Sequence, residues 1–131
     1  MSNISDTIRS RRTVHQFREE AVPEGIVRDA VEQARWAPNH YLTEPWRFCL
    51  LGPEMVARVL RLAREILAER SGEQAAEAKV VRWARVPGWL FVTCLRDADP
   101  ERDRENYAAC CCAVQNLQLA LWEASVGVKW T

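Results

Sequence analysis

The stretch Ala34–Phe48, "ARWAPNHYLTEPWRF", places a histidine, a glutamate, two arginines, two prolines and two tryptophans where a helical pattern stops. Pro38 cannot continue a helix, because it lacks the amide donor and its ring clashes with the preceding turn. Upstream, Ile26, Val27, Ala30, Val31 and Ala34 recur at helical spacing after Pro23, which suits a first turn. Downstream, Glu44-Pro45-Trp46 reads as a rigid turn into "RFCLLG", a short apolar run fit for a buried strand, with Trp46 a candidate core residue. The stretch is therefore a helix stop, a proline-stiffened loop and a strand start. His40 within it is open to three readings: a catalytic base, a metal ligand or a polar loop residue. The last is the commonest for a lone histidine, and His15, the only other one, stands far off in sequence. No Ser-His-Asp or Cys-His arrangement stands out.

Working outward, Asn3–Arg11 reads as a short helix with Ile4 and Ile8 on one face and Ser2 or Asn3 as N-cap. "TVHQF", Thr13–Phe17, alternates and reads as extended. From Pro53 to Arg70, Val56, Val59, Leu60, Ala63, Ile66 and Leu67 repeat at helical spacing, and a further helix is expected over Glu73–Arg85. "GWLFVTCL", Gly88–Leu95, is the clearest strand, bracketed by Pro87-Gly88 and the polar stretch Arg96–Pro100. The longest helix runs from about Glu101 to Ser125 and is apolar on nearly every side between Ala108 and Leu121, the mark of a helix buried in a core or a subunit interface. Gly127 is expected to end it, and "VKWT" to begin another strand. The resulting order is helix, helix, strand, helix, helix, strand, helix, strand: an α+β or three-layer arrangement with a small sheet and an incomplete end.

Composition narrows the function. The 131 residues, 48% hydrophobic with six tryptophans, suit one domain, 1–131, small enough to gain from oligomerisation. Eighteen basic and eighteen acidic residues cancel, which removes the electrostatic case for nucleic acid or an anionic membrane. No apolar run approaches the roughly 18 residues of a membrane span. The five cysteines, Cys49, Cys94 and Cys110–Cys112, show no C-x-x-C spacing; they read as packing residues in a reducing, cytoplasmic setting, with no metal site. Gln115 and Asn116 interrupt the long apolar helix, and buried amides need partners. "RSRRT", Arg9–Thr13, offers guanidinium groups beside hydroxyls, suited to a phosphate, although arginines also favour a helix C-terminus, where they offset the macrodipole.

In order, the helix ending in "RRT" before "VHQF", then "ARWAPNHYLTEPWRF", then "NYAACCCAVQNLQLALWEASVGVKWT" resembles the nitroreductase-like flavoprotein family across essentially the whole chain, with the Ala-Pro-Asn-His form similar to its small single-domain members. The resemblance implies a three-layer α/β/α fold around a small, mostly antiparallel central sheet, and a homodimer with FMN at the subunit interface. It implies hydride transfer from NADH or NADPH to nitroaromatic, quinone or similar electrophilic acceptors by a ping-pong mechanism, with no side-chain nucleophile and no catalytic side chain of its own. Carried over by motif, Arg11, Arg12 and Thr13 would contact the flavin phosphate, ribityl chain or ring; Trp36 and His40 would reach the flavin from the partner subunit; Trp130 and Thr131 would lie along it. Thr13 stands where the family has serine and keeps the hydroxyl. Relatives continue well past the position of Thr131, so the resemblance also implies a missing C-terminal part, and with it an alternative: a truncated, non-catalytic dimeric module of the same fold that no longer holds flavin. A third alternative is a flavin enzyme of this fold that consumes its flavin or dehydrogenates a substrate.

Overall fold

A computed structural model describes residues 3–131. Five helices and two strands follow the chain: α1 (Ile4–Ser10), α2 (Glu24–Ala34), β1 (Trp46–Leu50), α3 (Pro53–Ser71), α4 (Glu73–Ala84), β2 (Leu90–Cys94) and α5 (Pro100–Glu123). The strands form a two-stranded sheet. Leu95 N–H donates to Pro45 C=O at one end of the ladder (2.8 Å) and Leu51 N–H to Trp89 C=O at the other (2.9 Å), so the pairing is antiparallel. The fold is α+β.

Helix ends follow local chemistry. Asn3 caps α1 by accepting from Ser5 N–H at 3.1 Å, and Asp99 caps α5 by accepting from Glu101 N–H at 3.0 Å, each relieving an orphan donor of the first turn. The other candidate cap, Ser2, lies outside the described residues. Gly72, at φ 84°, separates α3 from α4 in a conformation costly for a residue with a Cβ.

The described residues gather into two compact units. In the first, α2 packs along α5, and α1 also contacts α5. The buried positions of α5 are Asn106, Ala109, Cys110, Ala113, Val114, Leu117, Gln118 and Leu121, a stripe at i, i+3 and i+4. On α2 the buried residues are Ala30 and Ala34, with Ala37 buried just beyond its end, and the small side chains on both helices allow close approach of the backbones. Pro45 and Trp46 are buried in the same unit. At the far end of α5, Thr7 donates to Glu123 (2.8 Å) and the Trp122 indole to Ser10 (3.0 Å), which ties α1 down. In the second unit α3 packs on α4, Arg64 pairs with Glu77 at 2.9 Å, and Trp83 meets Trp89 edge to face. Among the described residues no helix is long and apolar enough to cross a membrane.

Five expectations change. "RFCLLG" does supply most of β1, but the strand is not buried: Trp46 is, Phe48 is half-buried, and Arg47, Cys49 and Leu50 are exposed. The final "VKWT" strand does not form; Val128 makes one isolated parallel bridge with Thr13, and Val14 N–H donates to Val128 C=O at 3.1 Å. The buried amides are Asn106 and Gln118, whereas Gln115 is exposed and Asn116 half-buried, because the buried stripe falls on the other side of the helix. Cys110 is buried but Cys112 and Cys49 are exposed, so the cysteines are not uniformly packing residues. Finally, α5 ends through Ser125 at φ 63° rather than through Gly127. Gly127 is needed for a different reason: a Cβ there would sit 2.5 Å from Val14 Cγ2.

Gly127→Ala is accordingly expected to destabilise the fold by about 1–3 kcal/mol, the usual cost of overpacking, with Val14→Ala relieving it in the double variant; chemical denaturation of the three proteins checks this. Burial, and then a hydrogen bond with Cys94, pushes the Cys110 thiol up to about 12. A thiol reagent at neutral pH should therefore modify Cys49 and Cys112 in the folded protein while Cys110 stays protected until denaturant is added, as read by mass spectrometry of peptides.

Candidate functional site

The residues singled out from the sequence fall into two clusters, both within the first unit and at opposite ends of α5.

The first cluster follows α1. Arg11 is half-buried, and Arg12 and Thr13 are exposed. The Arg12 guanidinium folds back to donate to Arg9 C=O (2.6 Å) and Arg11 C=O (2.9 Å), covering carbonyls that the helix end leaves unpaired. The Thr13–Val128 bridge lays this segment beside Gly127–Thr131, so that Trp130, 57% exposed, and Thr131 continue from the same pairing. Thr13 is thus paired with the segment that carries Trp130 and Thr131, although most of the chain separates them, and because the bridge is parallel the two segments lead on from it in the same direction. Guanidinium groups, a hydroxyl and an exposed indole there suit a flat, anionic ligand.

The second cluster is the loop from Arg35 to Glu44. After α2, Ala37 is buried and pins the chain, while Trp36 projects into solvent at 78% exposure. His40 Nδ1 lies 3.1 Å from both carboxylate oxygens of Glu105 on α5, and its ring stacks on Tyr41 at 4.4 Å. Arg102 sits over the Tyr41 ring at 5.0 Å, a cation–π contact. Beneath it runs a polar relay. Asn39 accepts from Glu44 N–H (2.8 Å) and donates to Thr43 (3.3 Å); Thr43 donates to Asn106 (2.7 Å); Asn106 donates to Leu95 C=O (3.3 Å). Asn106 is only 3% exposed, so these bonds satisfy a buried amide. Leu42 and Glu44 adopt φ of 51° and 43°. Such backbone costs a side-chain-bearing residue about 1–3 kcal/mol and persists only where its surroundings over-determine it; the Asn39 clamp across the turn does so.

Next to this loop, Cys94, Arg96, Asp103, Arg104 and Tyr107 line an open groove on the first turns of α5. Arg96 holds Asp103 through two bonds of 2.8 Å, and Asp97 N–H adds a third at 3.0 Å. The hydrogen bond from Arg96, then the one from Asp97, holds the Asp103 carboxyl below its ordinary value.

Sequence reading missed Glu105, Asn106, Asn39, Thr43 and Arg102. Asn106 carried a signal, since it stands three and four residues before Ala109 and Cys110 on the helix's buried face. Glu105 carried none, because its meeting with His40 joins positions 65 residues apart.

Replacing Asn106 with Leu should leave Thr43 without its acceptor and cost about 1–3 kcal/mol, detected as a lower denaturation midpoint together with faster proteolysis at Tyr41–Thr43. For Asp103 the sign is set by its lowered folded value. Its contribution to stability is complete above the ordinary aspartate value of about 3.9 and fades as pH falls through the folded one. The stability gap between the parent and Asp103→Asn should therefore be constant near neutrality and narrow below about pH 4, in parallel urea titrations at each pH.

The sequence model described as the nitroreductase family matches residues 8–131. YfhC of Bacillus subtilis, a protein that carries the name of an NAD(P)H nitroreductase, is 35% identical over 98% of this chain and 69% of its own length. Among solved structures, a nitroreductase-like family protein from Bacillus cereus superposes with a TM-score of 0.88 at 28% identity, covering 97% of this chain and 68% of that one. A nitroreductase with bound FMN from Bacteroides fragilis superposes at 0.72 with 17% identity, over 95% of this chain and 66% of that one, a likeness of fold. With a family match across nearly all of its length and a relative this similar, the chain belongs to the nitroreductase family.

Proposed function

We propose that this protein is an FMN-dependent oxidoreductase that passes hydride from NADH or NADPH to nitroaromatic, quinone or similar electrophilic acceptors by a ping-pong mechanism, as a cytoplasmic homodimer with flavin at the subunit interface. Family membership supports the class. The observation that carries the arrangement is the spacing of the two clusters. His40 is anchored at Glu105 and Ser10 at Trp122, and these anchors are about 26 Å apart along α5 at 1.5 Å per residue. That exceeds the span of one flavin mononucleotide. This spacing supports the reading in which Arg11–Thr13 with Trp130–Thr131 of one subunit, and Trp36 with His40 of a second, share one flavin across an interface.

The face of α5 turned away from its buried stripe fits such an interface. Ala108, Cys112, Gln115, Leu119 and Trp122 share that face, exposed or half-buried in the single chain. This is the reading under which a helix apolar on nearly every side lies at a subunit boundary.

The residues present fit the cofactor by their chemistry. Arg11 and Arg12 supply permanently charged forked donors for the phosphate or the electron-rich edge of the ring, and Thr13 adds a hydroxyl. Trp36 offers an exposed aromatic face, and His40 is held in orientation by Glu105. Bound flavin would supply the hydride chemistry itself, which is why no nucleophilic side chain is needed. The chain's own part is to orient the ring, balance its charge and leave one face open for donor and acceptor in turn.

One observation favours the alternative of a non-catalytic dimeric module: the Arg12 guanidinium is occupied by its own helix carbonyls at 2.6 and 2.9 Å. Flavin titration separates the two readings. The proposal expects a yellow protein that binds FMN, with Arg12→Ala and His40→Ala each weakening binding about tenfold or more, the scale of a lost hydrogen bond to a charged group. Mixing the two variants should restore tight binding at one site per mixed dimer, because the defects then lie in different subunits. A colourless protein that takes up no FMN refutes the flavin reading. Failure of the mixture to recover binding refutes the shared site.

A further inference from the structure

Helix α3 holds a second apolar stripe that its own unit does not cover. No residue of this 19-residue helix is fully buried. Val56, Leu60, Ala63 and Leu67 are half-buried on an arc of the helix, which packs on α4. Met55, Leu62 and Ile66 are 44%, 58% and 42% exposed, and the half-buried Val59 stands between them. The spacing 55, 59, 62, 66 is the 4-3-4 pattern of a seam that receives another helix. A shallow groove follows it, lined by Met55, Arg58, Val59, Arg61, Leu62 and Glu65. Isolated exposed apolar residues are ordinary on a surface; an aligned series on one helix face is not.

We propose that this stripe is an interface with α3 of a second copy of the chain, antiparallel across a two-fold axis. The charges along its edge point to that occupant. Arg64 is engaged with Glu73 and Glu77, but Arg58 and Glu65 make no side-chain ion pair or hydrogen bond among the described residues. When Met55 is set opposite Ile66 of the second copy, Val59 falls opposite Leu62 from the same symmetry. In that register Arg58 and Glu65 of the second copy are offset by about two residues, roughly 3 Å along the axis, well within reach of their side chains. The two-fold repeats the pair, so one helix face supplies both halves of two ion pairs and both halves of the apolar seam. A partner of another sequence would have to carry the same pattern in reverse; a second copy carries it already.

The pairing uses a face separate from that of α5, so it adds an association step beyond the flavin-sharing dimer. A single helix pair buries less than the ~1,200–2,000 Å² of long-lived complexes, which makes the step concentration-dependent. Sedimentation velocity of the intact protein across a concentration series tests it. The mass of the parent should double as concentration rises, and Leu62→Glu should abolish that doubling while circular dichroism and the melting curve stay unchanged, since Leu62 is exposed. Arg58→Glu and Glu65→Arg should each weaken the step about fivefold, and the double exchange should restore it. A parent mass that never doubles, a Leu62→Glu protein that associates like the parent, or a double exchange no better than the single ones would overturn the proposal. The readout is a factor of two in mass over whatever the α5 face forms, so loss of the flavin dimer would lower both baselines and leave this result legible.

Discussion

Everything in the first unit rests on the close approach of α2 to α5. Ala30 and Ala34 on α2, and Ala109 and Ala113 on α5, are buried small residues that let the two backbones lie near each other, while Leu117 and Leu121 provide the larger burial farther along. Fully burying a leucine side chain contributes about 1.5–3 kcal/mol, so the seam is strongest where α1 also docks. At its other end the seam is thinner, and a polar residue takes over: Asn106 sits on the same buried stripe and links Thr43 to Leu95. Loop geometry there depends on hydrogen bonds rather than on apolar contact.

That division explains how a loop with two left-handed residues is kept in one shape. Leu42 and Glu44 would relax if the chain between Pro38 and Pro45 were free. Ala37 and Pro45 bury its two ends, and Asn39 spans its middle. The exposed groups, Trp36 and His40, are thereby presented by a rigid frame, which lowers the entropic cost of engaging a ligand.

Element by element, the sequence was readable wherever periodicity ran for several turns. Helices over α3, α4 and α5, the cap at Asn3 and the strand before Arg96 all follow from local rules and appear within a residue or two of their expected ends, while α2 closes at Ala34, before Pro38 is reached. The reading failed where a choice depended on a distant partner. "VKWT" has strand composition, yet only Val128 finds a neighbour, in Thr13. Gln115 and Asn116 interrupt the apolar pattern, but α2 covers the other side of the helix and leaves Asn106 and Gln118 as the buried amides. Gly127 has the look of a helix terminator, and its actual constraint is the side chain of Val14. As for the candidate site, its residues and their division into two groups were named by family resemblance; the separation of their anchors along α5, and the support under His40, became visible only in three dimensions.

Because the two groups are moored to the ends of one uninterrupted helix, α5 acts as a measuring rod. Inserting or deleting one residue between Glu105 and Trp122 would shift one mooring by about 1.5 Å and turn it by about 100° relative to the other. Loops elsewhere can lengthen without touching that distance. The length of this helix, in whole residues, therefore sets both the distance and the relative direction of the two groups within the chain.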